Sequence, residues 1–160
     1  MNRLITAVAV VAAEAFAQEE YARFVEAMSW YNYDWEAVKV TTEDGHILTT
    51  FHITGDGNEK FVPTKPPVMI MHGDFGDGTS WFDSYYGLPL HLELAEAGYD
   101  VWIGNNRGTE YSQEHETLSI DDAAFWDWSW AEMGLYDDVA LIKKMNESSI
   151  SGKSYYIGYS

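Results

Sequence analysis

Val68-Met69-Ile70-Met71-His72-Gly73-Asp74-Phe75-Gly76-Asp77-Gly78 is the stretch that decides how this chain folds. Its first four residues are apolar without alternation and too few for a helix, the pattern of a strand buried on both faces of a parallel sheet. The run stops at His72-Gly73, and the glycines that follow make a tight loop. The pattern repeats downstream. Leu88 to Ala97 has the Leu, Ala and Glu content of a helix, and Gly98 sits where a C-terminal cap belongs. Tyr99 to Ile103 is a second buried strand. Ala131 to Met145 is helical, with Met133, Leu135, Tyr136, Val139 and Ile142 expected on its buried face and Lys143 at its basic end. Ser154 to Ile157 is the last strand. Upstream, Trp35 to Thr42 and His46 to Ile53 are rich in β-branched and aromatic residues. Glu43-Asp44-Gly45 between them signals a tight turn, so the pair reads as a β-hairpin. Gln18 to Trp30 carries Tyr21, Phe24, Val25 and Met28 at helical spacing, and Gly55 to Pro67 reads as a loop. A hairpin followed by alternating strands and helices predicts an α/β fold, with strands near 68–71, 99–103 and 154–158 parallel in one sheet.

Composition narrows the function classes. The 160 residues are 46% hydrophobic and 16% aromatic, enough for a packed core. A net charge of −17 opposes binding to nucleic acid or charge-driven docking on an anionic membrane. There are no cysteines, hence no disulfide framework and no thiol chemistry. Arg3, the apolar run Leu4 to Ala13 and the small-x-small triplet Ala15-Phe16-Ala17 follow the order of a signal peptide. They predict cleavage after Ala17, a leader over 1–17 and a domain over 18–160. Ten apolar residues are too few to span a bilayer, which needs about 20. The secretory pathway, leading outside the cell or to a lysosome-like compartment, is the expected destination. Asn146-Glu147-Ser148 is an N-glycosylation acceptor there.

The chain ends Tyr155-Tyr156-Ile157-Gly158-Tyr159-Ser160. A strand running into Gly-x-Ser is the first half of the nucleophile elbow G-x-S-x-G of the α/β-hydrolase fold, and Ser160 is the candidate nucleophile. Such a serine sits on a sharp strand-to-helix turn, where flanking glycines leave room for strained backbone. His72-Gly73 follows a buried strand, the place from which this fold draws one backbone donor of its oxyanion hole. The triad order is Ser, then Asp or Glu, then His, so His46, His52, His72, His91 and His115 all come too early to be the base. His46, His52 and His91 read as packing or surface residues, and His115 between acidic neighbours reads as a solvated loop. No metal-ligand spacing occurs and no cofactor is implied. Gly104-Asn105-Asn106-Arg107-Gly108 lacks the spacing of a phosphate loop, so Arg107 is expected to bond carboxylates or carbonyls. Trp126, Trp128 and Trp130 read as an acyl-chain contact or a packed loop. Asp122, three residues after Ser119, reads as a helix start.

Four segments together resemble the acid lipases, the group that includes lysosomal acid lipase and gastric lipase. They are Val40 to Leu48; His72-Gly73 with Asp77 and Trp81 behind it; Ala97 to Gly108 with Tyr111-Ser112; and Leu118-Ser119, Phe125 to Trp130, Glu132-Met133 and Tyr136-Asp137. The resemblance runs from about Phe24 to Ser160. It implies the N-terminal portion of an α/β-hydrolase, truncated at the elbow, and a serine hydrolase of lipid esters such as triacylglycerols or sterol esters. Asp74 would supply the oxyanion N–H, and the acid and histidine would lie beyond Ser160. Two residues depart from the family's pattern. Asp74 stands where an apolar residue is usual, and Tyr159 stands where histidine is usual. The alternatives are an inactive fragment or lipid-binding remnant, and an esterase of this fold with a non-lipid substrate.

Overall fold

The longer strands lie within about two residues of the positions expected from the sequence. In the computed structural model, which describes residues 20–82, 87–147, 149 and 152–160, the chain divides into two units, Met1–Asn32 and Tyr33–Ser160. The leader expected over 1–17 lies outside the described residues. In the first unit, helix α1 (Ala22–Ser29) buries Phe24 and Met28, four residues apart as the apolar spacing requires.

The second unit is built on a mixed sheet. β1 (Asp34–Thr41) and β2 (His46–Gly55) form the antiparallel hairpin, followed by β3 (Pro67–Met71), β4 (Asp100–Gly104), β5 (Glu114–His115) and β6 (Tyr155–Gly158). The sheet order is β1-β2-β4-β3-β6, with β5 paired to β2. β3 is parallel to both β4 and β6, as expected, and β2 meets β4 antiparallel. β3 and β4 are buried along their whole length; β3 is a continuous apolar run, and β4 is apolar apart from its first residue, Asp100, and its last, Gly104. α2 (Leu90–Glu96) packs near β4, burying Leu92 and Ala95. α3 (Trp130–Glu132) and α4 (Asp138–Asn146) are joined by a π-helical turn at Met133–Asp137. Met69, Met71, Val40, Leu48 and Trp102 form a core with Leu141 and Met145 of α4.

Two sequence expectations are corrected here. The helix over 131–145 is not regular, and its buried face is not the expected one. Leu135 and Val139 are exposed, whereas Asp137, Leu141 and Met145, spaced by four, are buried. The wide π turn inserts a residue into the helical count, which rotates the buried stripe and carries Asp137 inward. His115 is not in a solvated loop either. β5 pairs it with His46, its ring stacks edge-on with that residue at 4.8 Å, and its Nδ1 accepts the Thr117 N–H at 3.0 Å. A two-residue strand is too short for any periodicity to reveal.

The join between hairpin and parallel strands is narrow. β2 and β4 register through only Phe51 with Ile103 and His52 with Trp102. His52 reinforces the join from the side chain. Its Nδ1 lies 3.0 Å from Glu36 of β1, its Nε2 lies 2.6 Å from Asp100 of β4, and its ring stacks on Trp102 at 4.0 Å. Burial disfavours the charged ring, but the Asp100 and Glu36 carboxylates outweigh it and raise the imidazole above its ordinary value. A group raised in the folded state stabilises fully below its unfolded pKa and loses that contribution as pH rises through the folded value. We therefore expect the stability difference between the parent and His52→Gln to be largest at pH 6 and to shrink by pH 9. Urea denaturation at both pH values measures it, and a gap independent of pH would contradict the charged bridge.

Candidate active site

The topology sends three loops off one edge of the sheet. β3, β4 and β6 are parallel, and Met71 registers with both Gly104 and Gly158. His72-Gly73, Asn105-Asn106-Arg107 and Tyr159-Ser160 therefore leave side by side, at the carboxyl ends where α/β folds place their sites.

Ser160 and the loop after β3 meet closely. A Cβ built on Gly73 would lie 2.8 Å from Ser160 Cβ and 2.9 Å from the Tyr159 carbonyl oxygen, so only glycine fits there. Ser160 is exposed and has φ 56, the left-handed region that an ordinary side chain adopts only under strain. The loop itself is a β-turn closed by Gly76 N–H to Gly73 O at 3.1 Å, with Phe75 at φ 61 and fully exposed. Among the described residues the Asp74 N–H has no hydrogen-bond partner. Its carboxylate is exposed and so remains solvated. Tyr159 lies along the loop, its ring edge-on to Trp81 at 5.3 Å.

Polar side chains hold the loops in place. The His72 Nδ1–H donates to Gly73 O at 2.8 Å, and its Nε2 accepts the Asn106 N–H at 3.1 Å. Asn105 is fully buried; it accepts the Gly78 N–H at 2.7 Å and donates to Thr49 O at 2.9 Å, tying β2 to the loop after β3. Nothing in the sequence separated Asn105 from Asn106, because only the packing shows which of them faces inward.

Arg107 meets carboxylates, as expected, and the structure identifies them. Its Nη1 and Nη2 donate to Asp44 at 2.7 and 2.9 Å, while its Nε and backbone N–H donate to Asp137, each at 2.8 Å. Arg107 is 2% exposed and Asp137 0%. Gly45, at φ 94, makes the tight hairpin turn that presents Asp44. Burial acts to raise the Asp44 carboxyl, but the bonds from Arg107 and Thr42 prevail and hold it down at about 2. Asp137 is raised, because its complete burial outweighs the same guanidinium. The tryptophans divide. Trp126 Nε1 donates to Ile120 O at 2.7 Å and the Trp128 ring covers Gly108, so both are tied into the loop although Trp126 is partly exposed, whereas Trp130 is far more exposed. Ser119 and Asp122 exchange bonds, the Ser119 N–H donating to Asp122 at 2.7 Å, and open a short 3-10 turn at Ala123–Trp126. The helix cap that the sequence reading missed is Ser129 with Glu132, a reciprocal capping box whose Ser-x-x-Glu spacing was available in the sequence.

The histidines are all engaged in structure. Burial, then the Arg107 charge, pushes His46 down to about 4, and burial pushes His91 to about 4. His72 stands in the loop touching Ser160, yet both of its ring nitrogens are committed to backbone.

A hairpin feeding a parallel sheet, with a strained serine at the end of β6 packed on a glycine loop after β3, defines the α/β-hydrolase fold. An esterase of Pyrococcus furiosus superposes with a TM-score of 0.52 at 17% identity, over 82% of this chain and 44% of that one. Residues 24–85 match the family described as the partial alpha/beta-hydrolase lipase region. Lipase member M of Mus musculus is 38% identical over 143 residues, 89% of this chain and 34% of that protein. Gastric triacylglycerol lipase of Bos taurus is 37% identical, over 84% of this chain and 34% of that protein. Lipase lipl-1 of Caenorhabditis elegans is 43% identical over 76% of this chain and 30% of that protein. The chain belongs to this α/β-hydrolase lipase family, and it spans about a third of the length of these curated relatives.

Removing the guanidinium would strand the Asp137 carboxylate in the interior. Breaking such a pair costs about 3–5 kcal/mol. Arg107→Ala is expected to lose that much in urea denaturation, and Arg107→Lys, which keeps charge without the two-sided fork, to fall between it and the parent. An Arg107→Ala chain of parental stability would rule out the bridge as a structural tie.

Proposed function

We propose that this chain carries the nucleophile and half of the oxyanion hole of a serine hydrolase acting on lipid esters. The observation that supports the reading is the contact between Ser160 and Gly73, beside the open N–H of Asp74. In the proposed reaction Ser160 Oγ attacks the ester carbonyl carbon and the carbonyl oxygen becomes an anion. The Asp74 N–H donates to that oxygen; collapse of the tetrahedral intermediate breaks the ester C–O bond and expels the alcohol, which takes up the proton lost by Ser160, and water then hydrolyses the acyl-enzyme to the free acid and Ser160. The proton of Ser160 has to go to a base. No described histidine serves, since His72 is bonded at both nitrogens and the others are built into the packing. The acid and the histidine of the triad are thus assigned to sequence following the elbow serine.

The relatives' names support the lipid-ester substrate, and the leader expected over 1–17 supports the secretory destination. Solvent exposure of Asp74 is compatible with the donor role, because its carboxylate is not forced against the developing oxyanion.

A serine hydroxyl without a base is a poor nucleophile. The 160-residue chain is expected to hydrolyse esters no faster than background. Extended through the downstream acid and histidine, it should turn over long-chain esters, and Ser160→Ala should then reduce kcat by roughly a millionfold. Undiminished turnover by Ser160→Ala would assign the chemistry to a different residue.

A further inference from the structure

We infer that His72 is a positioning residue for the oxyanion donor, acting as a neutral clamp on the Gly73–Asp74 peptide; this rests on the proposed role of the Asp74 N–H. A trans peptide is planar, so its C=O and N–H point in opposite directions. Whatever fixes the Gly73 carbonyl also aims the Asp74 N–H. Two donors fix it: the His72 Nδ1–H at 2.8 Å and the Gly76 N–H at 3.1 Å. Within a β-turn the bonded carbonyl faces inward, which leaves the following N–H facing out, and that N–H is unpaired among the described residues.

His72 can do this only as one tautomer. Its Nε2 accepts the Asn106 N–H at 3.1 Å, so the proton must be on Nδ1, the atom facing Gly73 O. The next N–H along, that of Arg107, is bonded to Asp137 at 2.8 Å. The backbone that orients the imidazole is therefore itself tied to the buried Arg107 bridge. The ring is largely buried and flanked by the Gly73 turn, which leaves it little freedom to flip. A side chain that merely filled space here would need neither the tautomer nor the two bonds.

The substitutions that separate the two nitrogens test the clamp. Asparagine places its amide N–H where Nδ1 lies and can still donate to Gly73 O; glutamine reaches the Nε2 position and loses that donor. In the ester-hydrolysing full-length chain, His72→Asn should keep kcat within about threefold of the parent. His72→Gln should lower it about 10–100-fold at little-changed KM, part of the loss that follows complete removal of an oxyanion donor. Equal kcat values for the two variants would overturn the clamp. Nitrogen-15 NMR of the parent's imidazole provides a readout that needs neither activity nor a variant: the proton on Nδ1 at neutral pH supports the clamp, and the proton on Nε2 overturns it. Ser160→Ala in the same background keeps the two ideas apart. If it retains activity, the nucleophile assignment fails; if it is inactive while His72→Asn and His72→Gln match, only the clamp fails.

Discussion

The guanidinium of Arg107 is the constraint on which the site edge depends. It is buried, and it is shared between a carboxylate from the hairpin turn and one from the π turn before α4. Those segments are 63 and 30 residues away in sequence. A charge so placed is costly unless every donor is met, so the three segments can be in only one arrangement when the chain is folded. Lysine could not replace it, because a single ammonium cannot present parallel donors in two directions. The irregularity of the helix follows from the same demand. A regular α-helix through 131–145 would keep the stripe expected from its apolar residues, and Asp137 would then not face inward. The π turn spends helical regularity to complete the bridge.

From that anchor, order passes along the backbone to the loop after β3. Arg107 N–H is tied to Asp137, the preceding Asn106 N–H to His72, and His72 to the turn that holds Asp74. Asn105 adds the cross-link to β2 and to Gly78. Each link is a hydrogen bond within a buried or half-buried setting, where an unmade bond costs more than a made one gains. This matters because the edge also holds strained backbone, at Phe75 and Ser160, which persists only when its surroundings over-determine it.

How much of this was legible depended on whether the signal was local. β3, and β4 beyond its first residue, could be read because burial on both faces writes itself as an apolar run without alternation. The hairpin could be read because Gly45 is needed where φ is positive. Ser160 and the His72-Gly73 loop could be placed at one edge because parallel strands put all their carboxyl ends together. The partners of Arg107 could not be named, since Asp44 and Asp137 resemble any other turn or helix carboxylate among the chain's 26 acidic residues. The buried face of α4 was misread for a related reason. Apolar spacing predicts a stripe on a regular helix, and a π turn that serves a distant charge breaks the count without marking the sequence. His115 shows the other limit, a strand two residues long made by tertiary pairing alone.

Tyr159 illustrates how a departure from a family's pattern can be absorbed by packing. Its ring atom Cε2 would lie 2.9 Å from a Cβ at Gly73, and its hydroxyl 3.2 Å from a Cβ at Gly76. The tyrosine therefore lies over a surface that only glycines leave open, braced on its other side by Trp81. The backbone adds a second requirement at Gly73, because the Tyr159 carbonyl oxygen would be 2.9 Å from that Cβ and cannot swing away as a side chain can. Gly73 is thus needed twice, once for the side chain before the serine and once for the serine's own backbone. Replacing Tyr159 by a smaller residue would relieve the first demand and leave the second intact. The close approach of Ser160 to the loop after β3 therefore rests on the two backbones as well as on the Tyr159 side chain.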